Sequence, residues 1–277
     1  MTVGASITPD ADESARELTR ALRAHIPFYF IKLGDAAVEC INGYKSHTCD
    51  GELYTPELSE ALLSTWDTLG KYSRDYGTRL FVGDWQSASF SGPNDKSRYS
   101  QEYARLMERV PTAVRLHFEC LLLMRDTPEL LDFYRAVRNS PKRKLLVGPS
   151  SWAPVAELLA CNFLALPVMP RLLTIRKQLT YELLSQDFDI LLYGAGMAGH
   201  VSVIDCWKQH PERTYINLGS ALDPATSRGK TRRQQMEPNH ARMFLDRLKP
   251  RVTPVFRDWC SAGHQKGQRG CALCEDL

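Results

Sequence analysis

Residues 188–224 restrict the fold of this chain more than any other stretch. The run Ile-Leu-Leu-Tyr at 190–193 is short and apolar, as is typical of a strand that is buried on both faces. Gly194, Gly196 and Gly199 follow it with the G-x-G-x-x-G spacing that opens a helix after such a strand. A strand, a glycine turn and a helix in this order predict a βαβ unit of a parallel sheet.

The same glycines indicate a ligand. Gly194 allows a tight turn, Gly196 lets a ligand approach the backbone, and Gly199 allows the helix to pack closely on the strand. The free N–H groups at the helix start, near Met197, would favour a phosphate. Small residues that only let the helix pack on the sheet are the alternative. An ordinary dinucleotide dehydrogenase is disfavoured, because Asn217 ends the next strand where an acidic residue would be expected.

Strands and helices alternate through the rest of the chain. Further strands are predicted from apolar runs at 28–33, 79–82, 113–117, 144–147 and 163–168. Amphipathic stretches between these runs predict helices. We therefore expect an α/β protein with a Rossmann-like, mainly parallel sheet and helices on both faces. Residues 1–250 would form this domain and residues 251–277 a small basic Cys/His appendage.

Charged residues follow the first two predicted strands, where open α/β sheets place their ligand groups. Lys32, Gly34 and Asp35 come at the end of the first strand, and Asp84 at the end of the second. The polar stretch 87–97 predicts a long mobile loop beside Asp84. Asp84 is our candidate general base for an acceptor hydroxyl, and a turn-forming aspartate is an equally good interpretation.

A second strand end resembles the glycine turn. Gly148, Pro149 and Ser150 follow the run at 144–147 directly, and a helix is predicted after them. Ser150 or Ser151 could cap that helix. We interpret this end as a second anion site.

The composition is that of an ordinary soluble protein, with 43% hydrophobic and 24% charged residues. No apolar run approaches the ~20 residues that cross a bilayer. The N-terminus shows no signal-peptide pattern. We expect a cytoplasmic protein that does not contact membranes.

The C-terminal residues are basic, because Lys and Arg outnumber Asp and Glu after residue 225. This bias favours an anionic partner, and a solvated surface is the alternative. Cys260, His264, Cys271 and Cys274 are the types and number of ligands that a tetrahedral Zn²⁺ requires. Free thiols or a terminal disulfide are the other readings. A zinc-bearing basic tail would help to hold a nucleic acid.

Four motifs resemble the GT-D-fold glycosyltransferases, including members encoded by bacteriophages. They are Ile-Lys-Leu-Gly-Asp (31–35), Leu-Val-Gly-Pro-Ser (146–150), Gly-Ala-Gly-Met-Ala (194–198) and Asn-Leu-Gly-Ser-Ala-Leu-Asp-Pro (217–224). The resemblance spans residues 27–224. It implies one Rossmann-like domain that binds a sugar nucleotide, such as a UDP-sugar, and transfers the sugar to an acceptor hydroxyl, usually with a divalent cation.

The resemblance also implies the roles of individual residues. Asp35 matches the Asp of the family's Asp-x-Glu motif and would bind Mn²⁺ or Mg²⁺, whereas Ala37 stands where the Glu is expected. Glu39 or Asp84 would then assist Asp35, or transfer depends less on metal, or activity is lost. The donor would be bound by Lys32, Gly34, Gly148, Pro149, Ser150, Gly194, Gly196, Met197, Gly219, Ser220, Asp223, Arg228 and Arg232.

The function expected from these observations is glycosyl transfer. The acceptor would be a 5-hydroxymethylpyrimidine in phage DNA, presented to the pocket in the host cytoplasm. A glycan or protein hydroxyl is nearly as good an acceptor. A nucleotide- or DNA-binding module without catalysis is the second hypothesis, and an enzyme that uses NAD or S-adenosylmethionine is the third.

Overall fold

The computed structural model describes residues 8–32, 34–43, 52–75, 79–87, 93–166, 172–225, 244 and 246–249. These residues form seven strands, namely Phe28–Lys32 (β1), Arg79–Asp84 (β2), Val114–His117 (β3), Lys144–Gly148 (β4), Asn162–Ala165 (β5), Ile190–Tyr193 (β6) and Thr214–Asn217 (β7). The strands make one sheet in the order β3-β2-β1-β7-β6-β4-β5, and every neighbouring pair is parallel.

Eight α-helices lie between or before these strands in the part of the chain that the structure describes. They are Ala11–Arg23 (α1), Asp35–Ile41 (α2), Pro56–Asp75 (α3), Pro93–Glu108 (α4), Pro128–Asn139 (α5), Ala153–Leu158 (α6), Arg176–Ser185 (α7) and Gly196–Gln209 (α8). Short 3-10 helices cover Trp85–Ser87, Leu123–Arg125, Ser150–Trp152, Leu172–Ile175 and Asp223–Ala225. Among the described residues, no helix combines the length and the apolar character that crossing a membrane requires.

Helices cover both faces of the sheet because successive residues of the central strands are apolar and point to opposite faces. Phe28 and Phe30 of β1 pack on one face in a core that includes residues of α1, α5 and α6. Tyr29 and Ile31 pack on the other face with residues of α3, α4, α7 and α8. All five residues of β1 are buried. The predicted α/β fold with a parallel sheet and helices on both faces is confirmed, and the predicted appendage 251–277 lies outside the described residues.

The strand order produces a crevice at the centre of the sheet. From β1 the chain builds outward through β2 and β3, and then crosses to β4 and β5 on the other side. It returns through β6 to β7, which pairs with β1. Ligands of open α/β sheets bind beyond the carboxyl ends of the strands where the order reverses. The ends of β1, β7 and β6 therefore define the region in which a functional site is expected.

Two details of the local prediction are wrong. The predicted loop 87–97 is shorter than expected, because α4 already begins at Pro93. Proline suits the first turn of a helix, and the polar composition of this stretch concealed that start. Ser150 and Ser151 cap no helix through their side chains: a 3-10 turn of Ser150–Trp152 precedes α6, and neither element has a side-chain cap hydrogen bond.

Candidate functional site

The glycine turn after β6 leads into α8, and an anion already occupies the start of that helix. The anion is the carboxylate of Glu52, which is 8% exposed. Its Oε2 accepts a hydrogen bond from Met197 N at 2.9 Å, and its Oε1 accepts one from Ala198 N at 3.0 Å. Free amides and a positive helix dipole attract such a group. The helix start predicted to bind phosphate is therefore occupied by a side chain of the same chain.

Gly196 makes this arrangement possible. Its φ is 62°, in the left-handed region that favours glycine. A Cβ atom at this position would also lie 3.0 Å from Oε2 of Glu52. The sequence contains no local sign of this contact, because Glu52 lies 145 residues from Met197.

The Trp152 ring, which is fully buried, fills the space beside two of the predicted donor-binding glycines. A Cβ atom at Gly148 would lie 2.4 Å from this ring, and one at Gly194 would lie 2.3 Å from it. The indole Nε1 donates a hydrogen bond to Asp223 Oδ1 at 3.1 Å. Gly148 and Gly194 thus leave room for an internal indole ring, and Asp223 accepts the hydrogen bond of that ring.

Pro149 and Ser150, the two other residues of the second predicted anion site, lie at the start of the 3-10 turn that contains Trp152. Pro149 accepts a hydrogen bond from Trp152 N through its carbonyl oxygen at 2.8 Å, and Ser150 begins the 3-10 helix. The α-helix that follows has only six residues. The donor-binding role of these residues stays a prediction.

Lys32 supplies a buried positive charge between the ends of β1 and β7. The residue is 6% exposed, and its Nζ lies 5.1 Å from the centroid of the Phe118 ring. Gly219, with a φ of 57°, passes beside it: a Cβ atom there would lie 3.5 Å from Nζ. Ser220 follows in the same turn and accepts a hydrogen bond from Asp223 N through its carbonyl oxygen at 3.1 Å. The ammonium group lies at the carboxyl edge of the sheet, where open α/β sheets bind their ligands.

Asn217 ties this turn to β1, which explains why an amide ends β7. Its Nδ2 donates to the Lys32 carbonyl oxygen at 2.8 Å, and its Oδ1 accepts from Gly219 N at 2.7 Å. Nδ2 also lies 3.1 Å from His200 Nε2. A carboxylate could accept from Gly219 but could not donate to the carbonyl of Lys32.

His200 continues the polar chain into the core. Its Nδ1 lies 3.2 Å from the Tyr193 hydroxyl, which in turn lies 2.9 Å from the Tyr29 hydroxyl. Burial, followed by the charge of Lys32, lowers the pKa of His200 to about 3. The imidazole is therefore neutral at physiological pH, and sequence reasoning did not single it out.

The residues at the start of α2 differ in exposure. Asp35 is exposed, and its Oδ1 accepts a hydrogen bond from Ala36 N at 2.9 Å. Ala37 is fully buried, and Glu39 is 5% exposed and accepts a hydrogen bond from the Tyr99 hydroxyl at 2.7 Å. Among these α2 positions, Asp35 alone presents a carboxylate to solvent.

Tyr54 lies within electrostatic range of this acidic group. Burial, followed by the charge of Glu39, raises the pKa of its hydroxyl, and Asp35 and Glu52 contribute further. Cys40 of α2 and Ala198 of α8 also belong to one apolar cluster, so α2 and the start of α8 are neighbours.

The residues of this region fit one particular mode of cation binding. Within the described ranges, no three or more His, Cys, Asp or Glu side chains are grouped so that they could hold a metal ion. Mg²⁺ is often bound instead by one or two carboxylates together with substrate phosphates and water. Asp35 fits that mode. The predicted zinc ligands Cys260, His264, Cys271 and Cys274 lie outside the described residues, as do Arg228 and Arg232.

Asp84 lies at the end of β2 with both carboxylate oxygens engaged. Oδ2 accepts a hydrogen bond from the Thr8 hydroxyl at 2.7 Å, and Oδ1 accepts one from Gln86 N at 3.0 Å. The residue is 5% exposed. This geometry is that of a turn-forming aspartate, which was the alternative to a general base, and the catalytic role stays a prediction.

Solved structures share this fold. One, described as a new glycosyltransferase (DUF1792) from Streptococcus sanguinis, aligns with a TM-score of 0.52 and 12% identity over 78% of this chain and 82% of that chain. A selenomethionine-substituted structure of domain of unknown function 1792 aligns with a TM-score of 0.50 and 13% identity, over 76% of this chain and 83% of that chain. The chain therefore has the fold of the DUF1792 domain.

A third structure of the same domain, described as having a distinct glycosyltransferase fold, aligns with a TM-score of 0.49 and 13% identity over 76% of this chain and 82% of that chain. No protein-family model matches the chain, and no curated protein matches its sequence.

Proposed function

We propose that this protein is a glycosyltransferase that moves a sugar from a nucleoside-diphosphate sugar to an acceptor hydroxyl. The observation that carries the proposal is that a buried lysine, Lys32, ends β1 and that an exposed carboxylate, Asp35, begins α2 three residues later. Both lie where the strand order reverses, and the fold is shared with a protein described as a glycosyltransferase. Open α/β sheets bind nucleotides at this position.

The charges at this edge suit the reaction. The acceptor oxygen forms a bond to the anomeric carbon while the bond from that carbon to the diphosphate oxygen breaks, and the hydroxyl proton passes to a base. Lys32 would stabilise the negative charge that develops on the departing diphosphate. Asp35 would hold a divalent cation, which supplies further positive charge to the diphosphate when it is bound.

Two carboxylates are candidates for the base that accepts the hydroxyl proton, and each of them would first have to give up a hydrogen bond. Asp84 would have to exchange its hydrogen bond from Thr8 for one from the acceptor hydroxyl. Glu39 would have to give up the hydrogen bond from Tyr99 and become exposed. Asp84 is the better candidate, because a strand-end carboxylate is closer to the expected position of the substrate.

The identity of the acceptor is a finer proposal. A 5-hydroxymethylpyrimidine in phage DNA would bind through the basic C-terminal residues, including Arg228, Arg232 and the tail 251–277 with its Zn²⁺. These residues lie outside the described part of the chain. A separate C-terminal unit would also lie outside the described residues, so it stays a prediction. A cytoplasmic location stays a prediction as well. A glycan or protein hydroxyl would need no such tail, so removal of residues 251–277 distinguishes the two acceptor classes.

The experiment that tests the proposal measures thermal stability against UDP-sugars, other sugar nucleotides, NAD and S-adenosylmethionine, with and without Mn²⁺. A ligand that binds only the folded state stabilises it by about 2.7 kcal/mol at one hundred times its Kd. We expect one sugar nucleotide to raise the Tm, and Mn²⁺ to increase that shift. A response to NAD or S-adenosylmethionine alone would contradict the proposal, and no response would favour the non-catalytic module.

Asp35→Asn provides the matched test of the cation. The variant should lose the Mn²⁺-dependent part of the shift and reduce sugar transfer by about 10²-fold, the order of effect expected when an electrostatic contact to the transition state is lost. Asp75→Asn is the control, because Asp75 is also exposed and ends α3 before β2 begins, at the opposite edge of the sheet. Equal transfer by the two variants would remove Asp35 from the site.

A further inference from the structure

The Lys32 side chain lies across the carboxyl edge of the sheet in a direction that its neighbours impose. Lys32 is in register with Gly83 of β2, and a Cβ atom at Gly83 would lie 3.0 Å from Cγ of the lysine. At the other end, Cε and Nζ lie 3.3 Å and 3.5 Å from where a Cβ atom of Gly219 would be, beyond β7. The side chain therefore runs from the β2 side of β1 to the β7 side, and a side chain at position 83 would displace it.

The ring of Phe118 faces the ammonium group at the end of this side chain. Phe118 follows β3 directly, and its N donates a hydrogen bond to Ser87 Oγ at 2.9 Å. The tip of the ring reaches the end of β1, since Cζ lies 3.1 Å from where a Cβ atom of Gly34 would be. Nζ of Lys32 lies over the ring at 5.1 Å from its centroid, which is within the range of a cation–π contact.

The neighbour of the ammonium group on the β7 side is also fixed. Gly219 N donates to Asn217 Oδ1 at 2.7 Å, and Asn217 Nδ2 donates to the Lys32 carbonyl oxygen at 2.8 Å. The turn at Gly219 is thus tied to the strand end from which the lysine side chain departs. The ammonium group lies between this turn and the Phe118 ring.

We propose that Phe118 is a positioning residue of the donor site, whose ring face holds the Lys32 ammonium beside Gly219, where the ammonium meets the diphosphate. The inference rests on the proposed function, in which Lys32 stabilises the departing diphosphate. Phe118 acts through Lys32 and forms no bond to the substrate itself.

The chemistry of lysine explains why an aromatic ring suits this position. A lysine ammonium is a point charge on a flexible four-carbon stem, and a ligand that has to order the stem loses affinity. A ring face attracts the cation and adds no formal negative charge, so the ammonium keeps its charge for a phosphate oxygen. A carboxylate in the place of the ring would neutralise the ammonium and compete with the diphosphate for it. The ring therefore orders the lysine before the ligand binds, which raises affinity.

The test measures binding of inorganic pyrophosphate by calorimetry to the full chain and its variants. Phe118→Leu removes the ring and keeps much of the apolar volume. We expect it to weaken binding about threefold to thirtyfold, the range of one cation–π contact or one ordered lysine. Lys32→Met keeps the stem and removes the charge, so it should weaken binding about tenfold or more.

Phe188→Leu is the matched control. The Phe188 ring also lies beneath a cation, with Cζ of Arg213 at 4.6 Å from its centroid, but it precedes β6 at the opposite edge of the sheet. This variant should bind pyrophosphate as the wild type does. A loss equal to that of Phe118→Leu would overturn the proposal, because it would reflect a general loosening of the fold.

Two comparisons separate positioning from packing. In the Lys32→Met background, Phe118→Leu should change the affinity by less than about twofold, because the ring has no cation left to hold. A ring-fluorinated phenylalanine at position 118 keeps the shape and withdraws charge from the ring face, so it should weaken binding to wild-type Lys32. An undiminished effect of Phe118→Leu in the Lys32→Met background, or full affinity with the fluorinated ring, would overturn the proposal. The fluorinated protein decides the question if Phe118→Leu fails to fold.

A second measurement reports the position of the ammonium group without any ligand. Protons over a ring face are shielded, so in protein labelled with ¹³C-lysine the ε-methylene signals of Lys32 should lie upfield. They should move downfield in Phe118→Leu and stay in place in Phe188→Leu. Unshielded signals in the wild type would mean that the ring does not hold the lysine, and would overturn the proposal.

The two proposals fail in different ways. Pyrophosphate carries neither sugar nor nucleoside, so coupled losses at Phe118 and Lys32 without any response to sugar nucleotides support the role of Phe118 at a diphosphate site and remove the transferase. Sugar transfer by the wild type without coupling between these residues supports the transferase and removes the positioning role. Failure of the wild type to bind pyrophosphate would also remove the positioning role.

Discussion

The ends of β4 and β6 look alike in sequence and differ in structure. In each, an apolar strand passes through a glycine into a helix. After β6 the helix has 14 residues, and its first amides bind the Glu52 carboxylate. After β4 a 3-10 turn leads into a helix of six residues, and the Trp152 ring lies against Gly148. A glycine after a strand therefore shows that something approaches the backbone closely, and it does not show whether that group is a ligand or a side chain.

Trp152 also couples the two ends. Its ring approaches both Gly148 and Gly194, and its Nε1 bonds to Asp223 beyond β7. One side chain thus sets the spacing of three strand ends around the candidate site. Removing it should disturb all three, whereas changes on the α8 side should act locally.

The largest effect is expected from Trp152→Ala. Truncation of a fully buried tryptophan removes its packing and leaves a cavity, so the free energy of unfolding should fall by about 3–5 kcal/mol. Urea denaturation measures the change. Trp152→Phe keeps a ring and loses only the hydrogen bond to Asp223 and part of the packing, so its loss should be clearly smaller. A loss under about 1 kcal/mol for Trp152→Ala would mean that the ring does not hold the strand ends together.

The next largest effects are expected from Gly194→Ala and Gly148→Ala, which test the ends of β6 and β4 individually. Overpacking in a core costs about 1–3 kcal/mol. The three atoms nearest to an added methyl group at Gly148 all belong to the Trp152 ring, whereas the methyl group at Gly194 also lies 2.5 Å from the carbonyl oxygen of Gly219. Gly194→Ala should therefore cost more in urea denaturation. In a Trp152→Leu background the cost of Gly148→Ala should largely vanish while that of Gly194→Ala persists, and equal relief at both positions would contradict this account.

The α8 side should differ from the β4 side in how stability depends on pH. His200 lies in α8, whereas α6 contains no histidine. The pKa of His200 in the folded protein is about 3, below the value of about 6.5 for an exposed histidine. Between these values the unfolded chain binds the proton and the native protein does not, so stability is lost as the pH falls from 6.5 towards 3. The loss should reach about 2 kcal/mol at pH 5, at 1.36 kcal/mol per pH unit.

Urea denaturation of the wild type and of His200→Gln between pH 7 and pH 5 measures this contribution. The variant should show a shallower dependence of stability on pH, whatever its stability at pH 7. Identical slopes would mean that His200 takes up its proton at the same pH in the folded protein as in the unfolded chain.

The fold was predictable from sequence because local patterns determine it, and the site was predictable only in part. The apolar runs that became β1, β4 and β6 needed no knowledge of distant residues, since burial on both faces leaves a continuous apolar signature. The positions of Asp35 and Gly196 just after β1 and β6 were also predictable, because strand ends in parallel sheets have a known position, and their functional roles stay predictions. Glu52 was missed because it reaches its partners across 145 residues, and nothing local marks a carboxylate that will bind a helix start. The roles of Gly148 and Gly194 depend on the direction of one indole ring, which spacing does not encode.

The smallest effect should come from Glu52→Gln, and it completes the comparison. Loss of the charge and of one hydrogen bond at a helix start costs about 1 kcal/mol, because the glutamine oxygen still accepts from one amide. Glu60→Gln should change the free energy of unfolding by less than about 0.5 kcal/mol, as is usual for an exposed position. Urea denaturation measures both changes in the free energy of unfolding. A loss above about 3 kcal/mol would show that the α8 side depends on Glu52 as strongly as the β4 side depends on Trp152. The two ends would then be alike, each dependent on one internal group, whereas a loss near 1 kcal/mol would show that Glu52 contributes no more than an ordinary helix cap.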